Sequence, residues 1–170
     1  MSAQTRSSAE LVSLYLDAVK RQDAAVVDRY FHPDIEYVVN GTPAPKPGAV
    51  LPMISEQCRQ ALPWLGVHRG RQAVKDFLAH MHANLQVTAI ETREVISEGA
   101  NAAVFGWFRL HALATGRSVD IPFAIRVELC DGLIRKYHFL ENTLDVAIAF
   151  RRSGEWQLET DGSQHQIPTA

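Results

Sequence analysis

Apolar residues fall into stripes along the first third of the chain. Leu11, Leu14, Tyr15, Ala18 and Val19 recur at the spacing of one helix face. Ahead of them, Ser7-Ser8-Ala9-Glu10 has the Ser-x-x-Glu form that caps a helix start reciprocally. Asp23 predicts the cap of a second short helix over 24–31. That helix is expected to end at Pro33, because proline disfavours helical geometry in the residue before it. "DIEYVV", 34–39, reads as a strand. From 40 to 66 the pattern breaks: "NGTPAPKPG" is loop, and "MISEQCRQAL" has room for a turn or two of helix before Pro63. A segment of this length in a compact domain is expected to act as a lid-like insertion. Helical spacing returns in "RGRQAVKDFLAHMHANL", with Val74, Phe77, Leu78 and Met81 on one face.

The period then changes. Strand-like runs over 86–97, 102–114 and 117–129 are joined by "EGAN" and "ATGR", and "CDG" leads into a fourth. Helical spacing resumes over 142–150, and a polar tail follows over 153–170. Helices first and a meander of strands after predict an α+β fold in which helices pack on one face of a sheet.

Composition narrows the function classes. At 170 residues with 46% hydrophobic and 21% charged residues, the chain suits one domain, 1–152, with its own core. A net charge of −2 offers no basic surface for nucleic acid or anionic lipid. The two cysteines, Cys58 and Cys130, form no CxxC pattern and suit a reducing compartment. "MSAQTRSSAE" lacks the apolar core of a secretory signal, and no apolar run approaches membrane-spanning length. A cytoplasmic protein without nucleic-acid or membrane partners is expected. His80 and His82, two apart on a helix, do not face each other. None of the seven histidines makes an HxxxH or HxH pair with a nearby acid, so neither a metal site nor a cofactor is expected.

Three phrases carry a resemblance: "YLDAVKRQDAAVVDRYFHPDIEYV", "GVHRGRQAVKDFL" and "ATGRSVDIPFAIRVELCDGLIRKYHFLENT". Their order resembles the SnoaL-like branch of the nuclear transport factor 2-like (cystatin-like) superfamily, over most of 11–150 and excluding the insertion. The resemblance implies a cone: a curved, mixed, largely antiparallel sheet on N-terminal helices, enclosing an apolar cavity. It also implies a homodimer through the outer face of the sheet. The fold hosts many chemistries, so it does not by itself name a reaction.

Residue by residue, the resemblance is selective. Tyr15 falls where ketosteroid isomerase carries its oxyanion-hole tyrosine, although without a matching base a core tyrosine on an amphipathic stripe is the simpler account. The two acidic positions of that enzyme fall near Val39 and near Phe123 or Ala124, so its catalytic set is missing. The Arg and two Asp of the epoxide hydrolases are not matched either: Arg109 has no Asp beside it in sequence, and Tyr137, His138 and Phe139 stand where the second Asp is expected. The His and Glu frequent in related proteins fall on Ile125 and Phe139.

Strand alternation puts Phe123, Ile125, Val127 and Leu129 on one side of their strand. Glu141 shares the parity of Tyr137 and Phe139, so it either enters the pocket as a raised-pKa acid or caps the last helix. Asn142 is the favoured cap. Trp107 and Arg109, on one face of their strand, are the dimer-interface candidates. The expected ligand-binding set is Tyr37, Trp64, Phe123, Ile125, Tyr137 and Phe139, with Tyr15 and Glu141 as catalytic candidates. The functional expectation is a small, largely hydrophobic molecule held in an apolar pocket, with isomerase, dehydratase, cyclase or hydrolase chemistry of a cofactor-free acid–base kind. The alternative is a non-catalytic dimeric binding or protein-interaction module.

Overall fold

In a computed structural model of the chain, residues 6–40, 56–154, 156–160 and 163–167 are described. Helix α1, Ser8–Lys20, starts on the expected cap: Ser7 Oγ accepts the Glu10 N–H at 3.2 Å, and the Glu10 carboxylate accepts the Ser7 N–H at 2.7 Å. Its stripe buries Leu11, Val12, Tyr15, Leu16 and Ala18. Helix α2, Val26–Tyr30, is shorter than the pattern implies, and Asp23 Oδ1 accepts only the Ala25 N–H ahead of it. Strand β1, Phe31–Val39, begins before Pro33 rather than after it. Pro33 is tolerated because the pairing of β1 slips between Phe31 and Glu36, where no ladder N–H is required.

Helix α3, Glu56–Ala61, and strand β2, Gly66–Arg69, follow, and the expected insertion falls partly on 41–55, outside the described residues. Helix α4, Gly70–Asn84, buries Val74, Phe77 and Leu78. Four strands then run in meander: β3, Leu85–Glu98; β4, Asn101–Ala112; β5, Arg117–Cys130; and β6, Leu133–Glu141. Helix α5, Thr143–Phe150, comes next. The tail read as merely polar contains an antiparallel hairpin, β7, Trp156–Thr160, and β8, Ser163–Ile167.

The main sheet has the order β2-β1-β6-β5-β4-β3, with β1 parallel to β6 and every other pair antiparallel. The α+β class is the one the periodicity predicts, and the mixed sheet is the one the resemblance implies. Both breaks in the β3–β4 register, near Val87 and near Glu94, add residues to β3 and bend the sheet there. The bend wraps the sheet around α1 and α4. The inner rows of β4 and β5 (Val104, Phe108 and Leu110; Ile121, Phe123, Ile125 and Val127) are all buried in that wrap. Gly106 lies mid-strand among them and marks a close approach: its position leaves no room between the Glu91 carbonyl and the Phe123 ring.

Candidate functional site

The mouth end of the sheet is where β1 and β6, parallel neighbours, finish side by side. Asn40 follows β1 with φ of 48°, a left-handed conformation that asparagine tolerates better than most residues. This turns its side chain back across β6. Asn40 Oδ1 accepts the Glu141 N–H at 2.7 Å, while Nδ2 donates to Glu141 Oε1 at 3.1 Å and to Thr143 Oγ1 at 2.8 Å. One residue therefore ties the ends of β1, β6 and α5 together and holds the Glu141 carboxylate. Asn142 occupies the expected cap position of α5, but its side chain caps no helix N–H; its Nδ2 donates to Asp145 instead.

Behind Glu141 lies a cavity of about 60 Å³ between the concave face of the sheet and helices α1 and α4. Tyr15, Leu16 and Val19 line it from α1, Tyr37 and Val39 from β1, and Trp64 from the segment before β2. Phe77 and Met81 enter from α4, and Leu85, Val87, Ile90, Phe108 and Leu110 from β3 and β4. Tyr137, Phe139 and Glu141 complete it from β6. Among the described lining side chains, only three phenols, the Trp64 indole N–H and one carboxyl group are polar; the rest are apolar.

The phenols act as one unit. Tyr15 and Tyr37 share a hydrogen bond of 2.8 Å between their hydroxyls. The Tyr37 and Tyr137 rings stack at 4.6 Å and 8°, and Tyr15 meets Tyr137 edge-on at 5.1 Å. Burial raises all three phenols above their ordinary value, and the neighbouring phenols push Tyr37 and Tyr137 up further. They stay neutral at any physiological pH, so they offer hydrogen bonds rather than charge.

Glu141 differs. Burial pushes its carboxyl up to about 7, against the opposing hydrogen bond from Asn40. The group keeps some accessible surface and lines the cavity, so the environment that sets its proton is the same apolar space a ligand would enter. A carboxyl titrating near neutrality can give or take a proton at little cost.

Phe123 and Ile125 do not line the cavity, which corrects two expected ligand contacts. Their parity is inward, but the Phe123 ring folds over Gly106 and stacks on Phe108 at 5.7 Å. Ile125, 1% exposed, is packed between Val104 and Phe139 on the neighbouring strands. Both are core. Trp107 and Arg109 lie on the convex face, where Trp107 Nε1 donates to Glu91 at 2.8 Å. Arg109, without an acid beside it in sequence, finds one across the strand pair: its guanidinium grips Asp120 at 2.7 and 2.6 Å. That pair faces away from the cavity.

The sequence reading missed Asn40, Phe108 and Met81 at this site. Asn40 sits in an Asn-Gly dipeptide, whose left-handed tendency was legible as a turn and not as a clamp. Phe108 had only its strand parity, and Met81 only its helix face. His68 is another unforeseen neighbour: its Nε2 lies 3.0 Å from the Trp64 carbonyl oxygen, and its ring packs 4.8 Å from Phe77. Burial lowers its pKa, so it backs the cavity wall as a neutral ring.

Comparison with known proteins places this geometry in a family. The SnoaL-like domain profile matches residues 12–137, and the chain belongs to the SnoaL-like family. No curated protein matches it. Among solved structures, an NTF2-like protein from Burkholderia xenovorans is similar at 19% identity and TM-score 0.66, covering 89% of this chain and 99% of its own. TerC, co-crystallized with polyporic acid, is similar at 19% identity and TM-score 0.62, over 81% of this chain and 93% of its own. An epoxide hydrolase of the LEH-like type from M. tuberculosis is similar at 16% identity and TM-score 0.57, over 80% and 83%. At these identities the likeness carries the fold and not the reaction.

Proposed function

We propose that this SnoaL-like protein binds a small, largely hydrophobic molecule bearing a carbonyl or hydroxyl oxygen, and moves a proton on it with Glu141. The observation that carries the proposal is the one carboxyl group among the described lining residues, pushed by burial to about 7, at the edge of a cavity that also presents Tyr15, Tyr37 and Tyr137. The phenols would donate to the ligand oxygen as charge develops on it, where a dry site makes such bonds strong. The reaction class is cofactor-free isomerisation, dehydration, cyclisation or hydrolysis. TerC, a protein of this fold co-crystallized with polyporic acid, supports a small-molecule reading.

One observation favours the second reading, a non-catalytic module. The cavity of about 60 Å³ is well below the roughly 300 Å³ at the lower end of ligand pockets. Binding therefore requires the mouth to open, and Met81, with its flexible unbranched side chain, is the lining residue best suited to yield. Native mass spectrometry of the purified protein separates the readings. A co-purifying polyketide, terpenoid or steroid that also quenches Trp64 fluorescence on re-addition is the expected result. An empty cavity, no quenching by such compounds and a co-purifying protein would favour the module.

We also propose a homodimer through the convex face. Phe105, Ala124 and Leu140 align there across β4, β5 and β6, with Phe105 38% and Leu140 46% exposed. Trp107 and Arg109 adjoin the row. Leu140→Asp combined with Phe105→Arg is expected to convert a dimer to a monomer in size-exclusion chromatography with light scattering; an unchanged mass would place any interface elsewhere. Among the described residues, no helix is long and apolar enough to cross a membrane. We propose a cytoplasmic location, on two cysteines whose spacing forms no CxxC pattern.

A further inference from the structure

At the opposite end of β6 from Glu141, the two-residue turn Asp131-Gly132 joins β5 to β6. Cys130 pairs with Leu133 across it, and both turn residues take left-handed backbone, with φ of 52° and 72°. This conformation folds Asp131 back beside its neighbour: Cys130 Sγ donates to Asp131 Oδ2 at 3.6 Å. His32 arrives from the start of β1, in the stretch where its pairing with β6 slips. A His32 ring nitrogen, Cys130 Sγ and an Asp131 carboxylate oxygen all lie within 4.8 Å of one another. Among the described residues, this is the one place where three such ligand atoms converge.

We propose that His32, Cys130 and Asp131 form a binding site for a zinc-class divalent cation. An imidazole nitrogen, a thiolate and a carboxylate oxygen are the donors zinc takes, and a tetrahedral site with bonds of about 2.0–2.3 Å spaces its ligand atoms roughly 3.4–3.8 Å apart. The Cys130–Asp131 pair already has that spacing, and His32 needs only a small approach. Phe31, next to His32, pairs with Ile134, and Cys130 pairs with Leu133, so the sheet anchors the backbone on both sides of the site. A partner for the histidine is also in place. Asp34 Oδ2 lies 3.9 Å from His32 Nδ1, close enough to reach a proton there after a small side-chain rotation if Nε2 is the ligand atom. The present bond from the Asp34 N–H to Nδ1, 3.1 Å and exposed, can be exchanged for water. Binding replaces the thiol proton of Cys130, which leaves to solvent, and water takes the fourth position. Asp131 is exposed and His32 and Cys130 are half-buried, so the site is reachable from solvent. At about 3.3 Å per residue, β6 separates it from Glu141 by roughly 25 Å, so it stands or falls independently of the cavity.

The test is a cobalt(II) titration of the reduced, chelator-treated full chain, followed by competition with zinc. One equivalent of cobalt is expected to raise a thiolate-to-cobalt charge-transfer absorption that zinc abolishes. Cys130→Ser should remove that absorption, His32→Ala should weaken binding by at least about tenfold, and Cys58→Ser should leave both unchanged. No charge-transfer absorption in the parent protein, or one that survives Cys130→Ser, overturns the site. Circular dichroism of each variant distinguishes a lost ligand from a lost fold.

Discussion

Replacing Glu141 by Gln is expected to make the protein more stable at about pH 8 while depriving it of any acid–base turnover. An unfolded glutamate titrates near 4.5, and the folded Glu141 near 7. Between those values the folded state holds a proton that the unfolded chain has released. The stability this contributes is therefore full below the unfolded value and is lost as the pH rises through the folded one. The whole interval is worth at most about 3 kcal/mol. Gln keeps an oxygen for the Asn40 amide and carries no charge at any pH. Its advantage should approach that figure at about pH 8 and shrink to a few tenths of a kcal/mol near about pH 4. Urea unfolding of both proteins across that range checks it. On a substrate that the parent turns over, the same variant is expected to lose about 10²–10⁴ in kcat. Undiminished turnover would remove Glu141 from the chemistry.

The second large effect is structural. A methyl group at Gly106 would fall inside contact distance of the Glu91 carbonyl oxygen and 2.7 Å from Phe123 Cζ. The first obstacle is backbone in the bent part of β3, which cannot yield without disturbing the curvature that forms the cavity. Gly106→Ala should cost about 3 kcal/mol, or roughly 6–12 °C in Tm for a chain of this size. Adding Phe123→Leu should recover little, because it relieves only the side-chain contact. If the double variant returned to parental stability, the crowding would lie in the ring alone and the close approach of β3 would carry no weight.

Those two sites divide what the sequence made legible from what it hid. The capping box at Ser7, the apolar stripe of α1 and the four-strand meander are all local patterns, and the structure follows them. The inward row of β5 was equally readable, since alternation assigns a face. What alternation does not say is which residue on that face meets a void and which meets another side chain. Phe123 and Ile125 have the same inward parity as Phe139, yet only Phe139 reaches the cavity, because a glycine on the neighbouring strand draws the Phe123 ring down. Asn40 and Glu141 are 101 residues apart, and nothing in either neighbourhood announces that β1 and β6 run parallel and end together. The same holds for His32 and the Cys130-Asp131 pair, which no spacing rule connects.

The proposed function rests on one physical condition, a carboxyl group kept partly protonated at neutral pH by the apolar space it faces. Carbon-13 NMR of protein labelled at the glutamate side-chain carboxyls reads this directly, with the Glu141 signal identified by its loss in Glu141→Gln. The account predicts a midpoint of about 7 for that signal, displaced when a hydrophobic ligand fills the cavity. A midpoint at the ordinary value near 4.5, unmoved by any ligand that binds, would contradict it.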